Sequence, residues 1–423
     1  MFNRALKDRL KRKAQWKHGR LLVLTGARQT GKTTLAREVF ADLPYISFED
    51  PVARPAWSRL SASDWIERYP CAILDEVQKA PSAIESVRAA YDESAAVRYL
   101  LLGSSQILLL SRVKESLAGR ATIEELWPLT LPEMVTGSWA DPVRESRLVA
   151  WIRSVPRDDT ILLGVPAASQ AFSRFEEAFN RYLRFGGMPA VHDPELSDQE
   201  REEWLRNYQR TYLERDVADL AALRDLEPFV LAQKAAALRT GQTVNYADLA
   251  RDSSISAGTA RRFIRYLELS YQVLMLQPYY RNPQKRLSKM PKVHFLDPGI
   301  QRSTINRHGP LTGPEFESAV IAEIVKQIHN ADLPLDFYHL RTHDGREVDL
   351  LIELEDGFVA VEVKSSPHAS RTAARHLRDL QPLLDKPLRK AMVLSMDREI
   401  RELEAGVLAV PVAWLLGCDA GRD

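Results

Sequence analysis

Cysteine is nearly absent: Cys71 and Cys418 are the only two in 423 residues. Neither sits in a CxxC pair or near a histidine cluster, which argues against a structural zinc site and against a disulfide framework. Long apolar runs are missing too. None approaches the roughly 18 residues needed to span a bilayer, and the first twenty residues lack the apolar stretch of a secretory signal. A reducing cytoplasm is therefore the expected location, with no membrane contact. Nor does one sign of charge dominate. The chain has 58 Lys and Arg against 57 Asp and Glu, a net charge of +1, so a protein basic throughout is excluded although local basic patches are not. What is present is 45% hydrophobic and 27% charged residues, the composition of an ordinary globular chain. At about 150 residues per domain the length allows two to three domains.

The first such patch opens the chain. Residues 1–19 and Arg20 hold eight basic side chains, Arg4, Lys7, Arg9, Lys11, Arg12, Lys13, Lys17 and Arg20, against the single acid Asp8. Two readings stand: a solvated helical face, or a basic arm for nucleic acid phosphates.

The strongest signal follows. Leu21-Leu22-Val23-Leu24 suits a buried parallel strand and leads into Thr25-Gly26-Ala27-Arg28-Gln29-Thr30-Gly31-Lys32-Thr33-Thr34, a match to GxxxxGK[ST] at every fixed position. Gly26 and Gly31 let successive N–H groups face a phosphate chain, Lys32 reaches the terminal phosphates, and the Thr33 hydroxyl suits Mg2+. A helix is expected over 34–40, its N-terminus toward the anion. A second apolar run, Cys71–Leu74, ends in Asp75-Glu76. Asp75 stands where the Mg2+ shell needs a carboxylate, and Glu76 where a base can activate water for attack on the γ-phosphate of ATP. A third run, Arg98–Leu102, ends in Gly103-Ser104-Ser105, whose hydroxyls suit holding that water or sensing the γ-phosphate, or merely end a strand. Arg120 is a candidate for charge stabilisation in the transition state, in its own subunit or a neighbouring one, beside the ordinary reading as a salt-bridge residue.

Taken together, GARQTGKTT, ILDEVQKAP, LLGSSQ and SLAGR…WPLTLPE resemble a prokaryotic branch of AAA+ ATPases. In that family the chain continues into a C-terminal region of unknown function, which RYLRFGGMPAV, TYLERDV and KVHFLDPGI also resemble. The resemblance covers nearly the whole chain and implies a P-loop parallel-sheet core over 20–135, bound ATP and a homo-oligomer.

Beyond it, 136–226 reads as a helical linker or lid region, irregular to about Ser173. A core-facing helix follows over Phe172–Phe185, ended by Gly186-Gly187, and then an amphipathic helix over Glu203–Leu223. In 227–300 a helix–turn–helix followed by a strand resembles a winged helix, whose second helix would carry Thr259, Arg261, Arg262 and Arg265 toward DNA. Nine Lys and Arg between Arg251 and Lys292 face only Asp252 and Glu268, which suits nucleic acid, while packing between subunits is the alternative use of such a domain.

Residues 301–418 carry the last pattern. A helix with Glu317 precedes strands at Asp336–Leu340, Arg346–Ile352 and Phe358–Lys364. Period-2 alternation places Glu362 and Lys364 on one face, and a hairpin can bring Asp349 alongside. This Asp…Glu-x-Lys arrangement resembles a PD-(D/E)XK nuclease. The resemblance implies a mixed α/β restriction-endonuclease-like domain in which Glu317, Asp349 and Glu362 hold Mg2+, or Mn2+, and Lys364 positions the nucleophile. The expectation is an ATP-hydrolysing protein acting on DNA. The alternative is an ATP-gated switch or binding module that does not cleave.

Overall fold

The computed structural model describes residues 2–103, 119–166, 169–212 and 226–418. Five short strands build the N-terminal sheet: β1 (Leu21–Thr25), β2 (Tyr45–Ser47), β3 (Cys71–Asp75), β4 (Arg98–Leu102) and β5 (Ala121–Glu125). All pair in parallel, in the order β2-β3-β4-β1-β5. Parallel strands need both faces covered, and both are. One face packs Trp65, Ile84 and Val87 against Leu21, Val23 and Leu74. The other packs Leu6 and Leu10 of α1 (Leu6–Ala14) and Leu35 of α2 (Lys32–Val39) against Leu22, Leu24 and Ile73. Helix α2 begins two residues earlier than expected, directly after the phosphate-loop glycine Gly31. The helix α3 (Pro81–Glu93) follows β3.

Part of the basic N-terminus turns inward rather than to solvent. Arg4 is buried against Glu133 at 3.1 Å, and Arg9 and Lys13 reach the buried Glu124 at 2.8 and 2.6 Å. Both also approach Asp332, at 3.5 and 3.4 Å, and Arg9 donates to the His329 carbonyl at 2.8 Å. Helix α1 is thus a strut between the parallel sheet and the C-terminal half, with Arg9 and Lys13 spent within the protein. Lys11 and Arg12 of this group are exposed.

The segment read as an irregular linker is partly core. Leu148, Val149, Trp151 and Ile152 form one face of a short helix, Arg147–Arg153, that packs with α4 (Gln170–Phe185) onto the C-terminal sheet. The compact apolar run LVAWI was the available signal. Helix α5 (Asp198–Tyr212) follows; the longer helix expected there, over Glu203–Leu223, lies outside the described residues from Leu213 on.

The middle region is a winged helix. Its helices are α6 (Glu227–Leu238), α7 (Tyr246–Asp252) and α8 (Ala257–Leu269), and its strands β6 (Gln242–Thr243), β7 (Val273–Pro278) and β8 (Lys292–Phe295). Asn245 and Ser256 cap α7 and α8 through their side-chain oxygens, which is why each short helix starts where it does. A core of Phe229, Leu249, Phe263, Ile264 and Phe295 lies beneath.

Next come α9 (Pro298–Thr304) and α10 (Gly313–Asn330), then β9 (Asp336–Arg341), β10 (Glu347–Leu354), β11 (Gly357–Val363), β12 (Leu388–Ser395), β13 (Arg401–Glu404) and β14 (Val407–Pro411). The sheet is mixed: β9, β10 and β11 are antiparallel neighbours, while β11, β12 and β14 run parallel. It does not stop at the winged helix. Strand β7 pairs with β9, Gln277 beside Tyr338 and Pro278 beside His339, so nine strands run in the order β13-β14-β12-β11-β10-β9-β7-β8-β6. A division of the chain at 300/301 cuts between elements of one sheet.

Two glycine-bearing segments lock these parts together. Gly187 donates to Asp297 at 2.7 Å and accepts from Leu129 at 2.7 Å. A Cβ on Gly186 would stand 1.8 Å from Asp297, and one on Gly299 2.0 Å from the Phe185 carbonyl. FGGMP and LDPG are the two halves of this clasp. Nearby, the fully buried Glu323 and Lys326 of α10 pair at 2.8 Å, and they take up the Leu131 N–H at 2.7 Å and the Leu129 carbonyl at 3.2 Å.

Candidate functional site

The phosphate loop follows the buried strand β1. Gly26 has φ +145°, and a Cβ there would meet the Leu126 carbonyl at 2.2 Å, so the loop leaves the sheet only through glycine. Gln29 and Gly31 also take positive φ, +59° and +92°. The Lys32 ammonium folds into the loop and donates to the carbonyls of Gly26 and Ala27 at 2.9 and 2.7 Å. These are the bonds it would exchange for a phosphate chain. Thr30 closes the curl by donating to the Ala27 carbonyl at 2.9 Å. Ala27 is buried and Arg28 half-buried, whereas Gln29 and Thr34 are exposed.

Asp75, at the end of β3, is buried and heavily bonded. Its Oδ2 accepts from the Thr33 hydroxyl at 2.8 Å and from Tyr45 at 2.7 Å, and its Oδ1 from the Glu76 N–H at 2.9 Å. Burial first, and then the neighbouring carboxylate, push the Tyr45 hydroxyl well above its ordinary range, so it remains a donor. Thr33 and Asp75 thus bring together the two oxygens that a Mg2+ shell takes from a P-loop protein. Glu76 sits at φ +54°, and its carboxylate accepts from Gln78 at 2.6 Å. The two acids stand at the end of β3 where the sequence pattern puts them; Tyr45 carried no signal.

Strand β4 lies between β1 and β3 and runs parallel to both, so Leu102 ends at the phosphate-loop end of the sheet. Ser104 itself lies outside the described residues. Arg120 is held by Asp92 of α3, at 2.8 and 3.1 Å. It immediately precedes β5, which runs parallel to β1, and so stands at the end of the sheet opposite its own loop.

A cavity of about 700 Å³ opens beside the loop, lined by Thr30, Gly31 and Thr34 together with Phe2, Trp139 and His192. That volume lies within the range of small-molecule sites. Arg4 braces it by donating to the Thr30 carbonyl at 2.7 Å. Burial lowers the His192 pKa to about 4, so its ring is neutral, with Nε2 2.8 Å from the Gly186 carbonyl. Sequence patterns missed these residues because they come from three distant segments.

In the C-terminal half, Glu317, Asp349, Glu362 and Lys364 do converge. Strand β10 pairs with β11 with Leu350 opposite Val361, which sets Asp349 beside Glu362. Asp349 Oδ2 accepts from the Val363 N–H at 2.8 Å, and Lys364 reaches Glu362 at 2.6 Å. Burial and mutual repulsion raise the pKa values of Glu317, Asp349 and Glu362. A fifth residue was missed in this role. Lys292, at the start of β8 and only 3% exposed, lies 3.0 Å from Glu317, 2.7 Å from Glu347 and 3.7 Å from Asp349. These carboxylates outweigh its burial and raise its pKa. Among the described residues no three His, Cys, Asp or Glu are grouped to hold a metal ion.

The charge expected on the winged helix is reduced for the same reason. Besides Lys292, Arg286 lies against Tyr279 and Tyr338 and near Glu353. On α8, Arg261 lies over Tyr246 and Arg265 pairs with Glu268 at 2.5 Å. Arg261, Arg262 and Arg265 remain exposed on one helix.

With this geometry in hand, residues 18–135 match the family described as AAA domain. The N-terminal third is an AAA-type P-loop ATPase domain. Two families described as domain of unknown function match 176–310 (DUF8612) and 312–415 (DUF4143). Uncharacterized proteins from Mycobacterium tuberculosis and Mycobacterium bovis are each 29% identical to this chain over 414 residues, covering 94% of it and 81% of themselves. Among solved structures, the Walker-type ATPase of Pyrococcus abyssi is 15% identical, covers 72% of this chain and 96% of its own, and has a TM-score of 0.47. The DNA clamp loader delta protein of Bacillus subtilis is 11% identical over 76% of this chain and 99% of its own, with a TM-score of 0.22. No helix among the described residues is long and apolar enough to cross a membrane.

Proposed function

We propose that this protein hydrolyses ATP and uses the nucleotide cycle to govern DNA engagement by its winged helix, acting as a switch rather than a nuclease. The observation that carries it is the 2.8 Å bond from the Thr33 hydroxyl to Asp75, beside a Lys32 whose ammonium folds into the loop and donates to the Gly26 and Ala27 carbonyls. This donor set fits Mg2+ and ATP: Thr33 and Asp75 would hold the cation, and Gly26–Thr34 the phosphates. Bound Mg-ATP supplies the scissile anhydride. Lys32 then neutralises phosphate charge, and Glu76 takes a proton from the attacking water. The cavity lined by Phe2, Trp139 and His192 is the recess for the base. Arg120 faces away from its own loop, so any catalytic part it plays is toward a neighbouring copy, which favours a homo-oligomer. DNA contact rests on Arg261, Arg262 and Arg265.

A second reading, metal-dependent cleavage, is favoured by the juxtaposition of Asp349, Glu362 and Lys364. It is weakened by the ammonium of Lys292 among the same carboxylates. One experiment separates the two: nicking of plasmid and branched DNA with Mg2+ or Mn2+, with and without ATP. The switch reading expects ATP-dependent DNA binding without nicking. Nicking that is lost in Asp349→Ala overturns it.

A further inference from the structure

The C-terminal cluster does not fit the ion that its resemblance implies. Four carboxylates meet there, Glu317, Glu347, Asp349 and Glu362, and three of them surround one buried ammonium at 2.7–3.7 Å. An ammonium offers three donors to oxygen, and here it is spent on the oxygens that a hard divalent cation would use. A Mg2+ ion needs oxygens at about 2.0–2.1 Å in a near-octahedral shell. It would have to share that volume with a like charge that the protein keeps 97% out of solvent. The fourth carboxylate is already bonded through one oxygen to Lys364, and its buried Oε2 has no hydrogen-bond partner.

The source of the ammonium matters as much as its position. Lys292 belongs to β8, which pairs with β6 and β7 of the winged helix. The acids belong to α10, β10 and β11. The two groups meet in one sheet through the contact of β7 with β9.

We propose that Lys292 is the resident cation of this site, and that strand β8 of the winged helix thereby holds the C-terminal acid cluster free of divalent metal. The proposal deepens the switch reading of the cluster and is independent of the ATPase chemistry. While β8 is docked, the ammonium of Lys292 occupies the centre of the cluster. Removing the lysine charge converts it into a divalent-cation site.

The test is a Mn2+ titration of the full chain without nucleotide, followed by electron paramagnetic resonance. Wild type, Lys292→Met, Lys292→Met with Glu317→Gln, and Glu317→Gln alone are compared. Lys292→Met should gain one Mn2+ bound at least tenfold more tightly than any site of the wild type that depends on Glu317, and the double variant should lose it. A wild type that binds Mn2+ in a Glu317-dependent way, or a folded Lys292→Met with no gain, overturns the proposal. Should Lys292→Met fail to fold, Glu317→Gln alone still decides. A site already closed to metal has no Mn2+ to lose, so binding must be unchanged; a fall refutes the inference. ATP hydrolysis measured on the same samples reports separately on the P-loop reading.

Discussion

Single side chains divide the work at the phosphate loop, and their separate roles have separable signatures. Lys32→Ala removes the charge that the loop carbonyls now hold, so nucleotide binding should be lost in a fluorescent-ATP titration. Glu76→Gln leaves loop and cation ligands in place. It should bind ATP normally and lower kcat by about 10²–10⁴-fold, and hydrolysis at the wild-type rate would remove Glu76 from the mechanism. His192 makes a different prediction. Its folded pKa lies near 4 against an ordinary 6.5, so the unfolded chain takes up a proton first as the pH falls. Stability from this group is full above pH 6.5 and is lost on the way down to pH 4, on the order of 3 kcal/mol in all. Thermal melts of wild type and His192→Gln should therefore converge as the pH is lowered from 7 to 4.5. A wild type that loses no more stability than the variant over that range would rule out a buried neutral imidazole.

Elements were legible from sequence to the degree that their signals were local. The P-loop and its helix, the helix–turn–helix and the strand pair carrying Asp349 and Glu362 each announce themselves within a few dozen residues, through caps, glycines or period-2 alternation. The strut made by α1 did not, because a row of Lys and Arg looks the same whether it faces water or Glu124 and Asp332. Lys292 was misjudged likewise, counted as surface charge when its partners lie 25 to 57 positions further on. The FGGMP and LDPG segments were visible as motifs without a mechanism; the clasp supplies one. Asp297→Ala strands the N–H groups of Gly187 and Ile300 and should cost about 3 kcal/mol, seen as an early urea midpoint. On α8, replacing Arg261, Arg262 and Arg265 by Ala should flatten the slope of log affinity against log salt by up to about 2.7 for duplex DNA. An unchanged slope would return the helix to a packing role.

Across the whole molecule, the buried pair Glu323–Lys326 joins the AAA domain to α10. Lys326→Met should destabilise by about 3–5 kcal/mol, because it leaves a carboxylate uncompensated at full burial. A urea midpoint close to the wild-type value would show that the pair is dispensable. The nine-stranded sheet has a further result for how the protein can be divided. Strand β7 is simultaneously the wing of one module and the edge partner of the next, so neither module has a complete sheet of its own. A fragment beginning after β8 would bare the backbone of β9 as an unpaired edge and leave Glu317, Glu347 and Asp349 facing each other without Lys292. Bare edges invite intermolecular pairing, so such a fragment should aggregate, and its behaviour toward metals would describe the cut rather than the protein. Partial digestion should accordingly show no stable stop near residue 300.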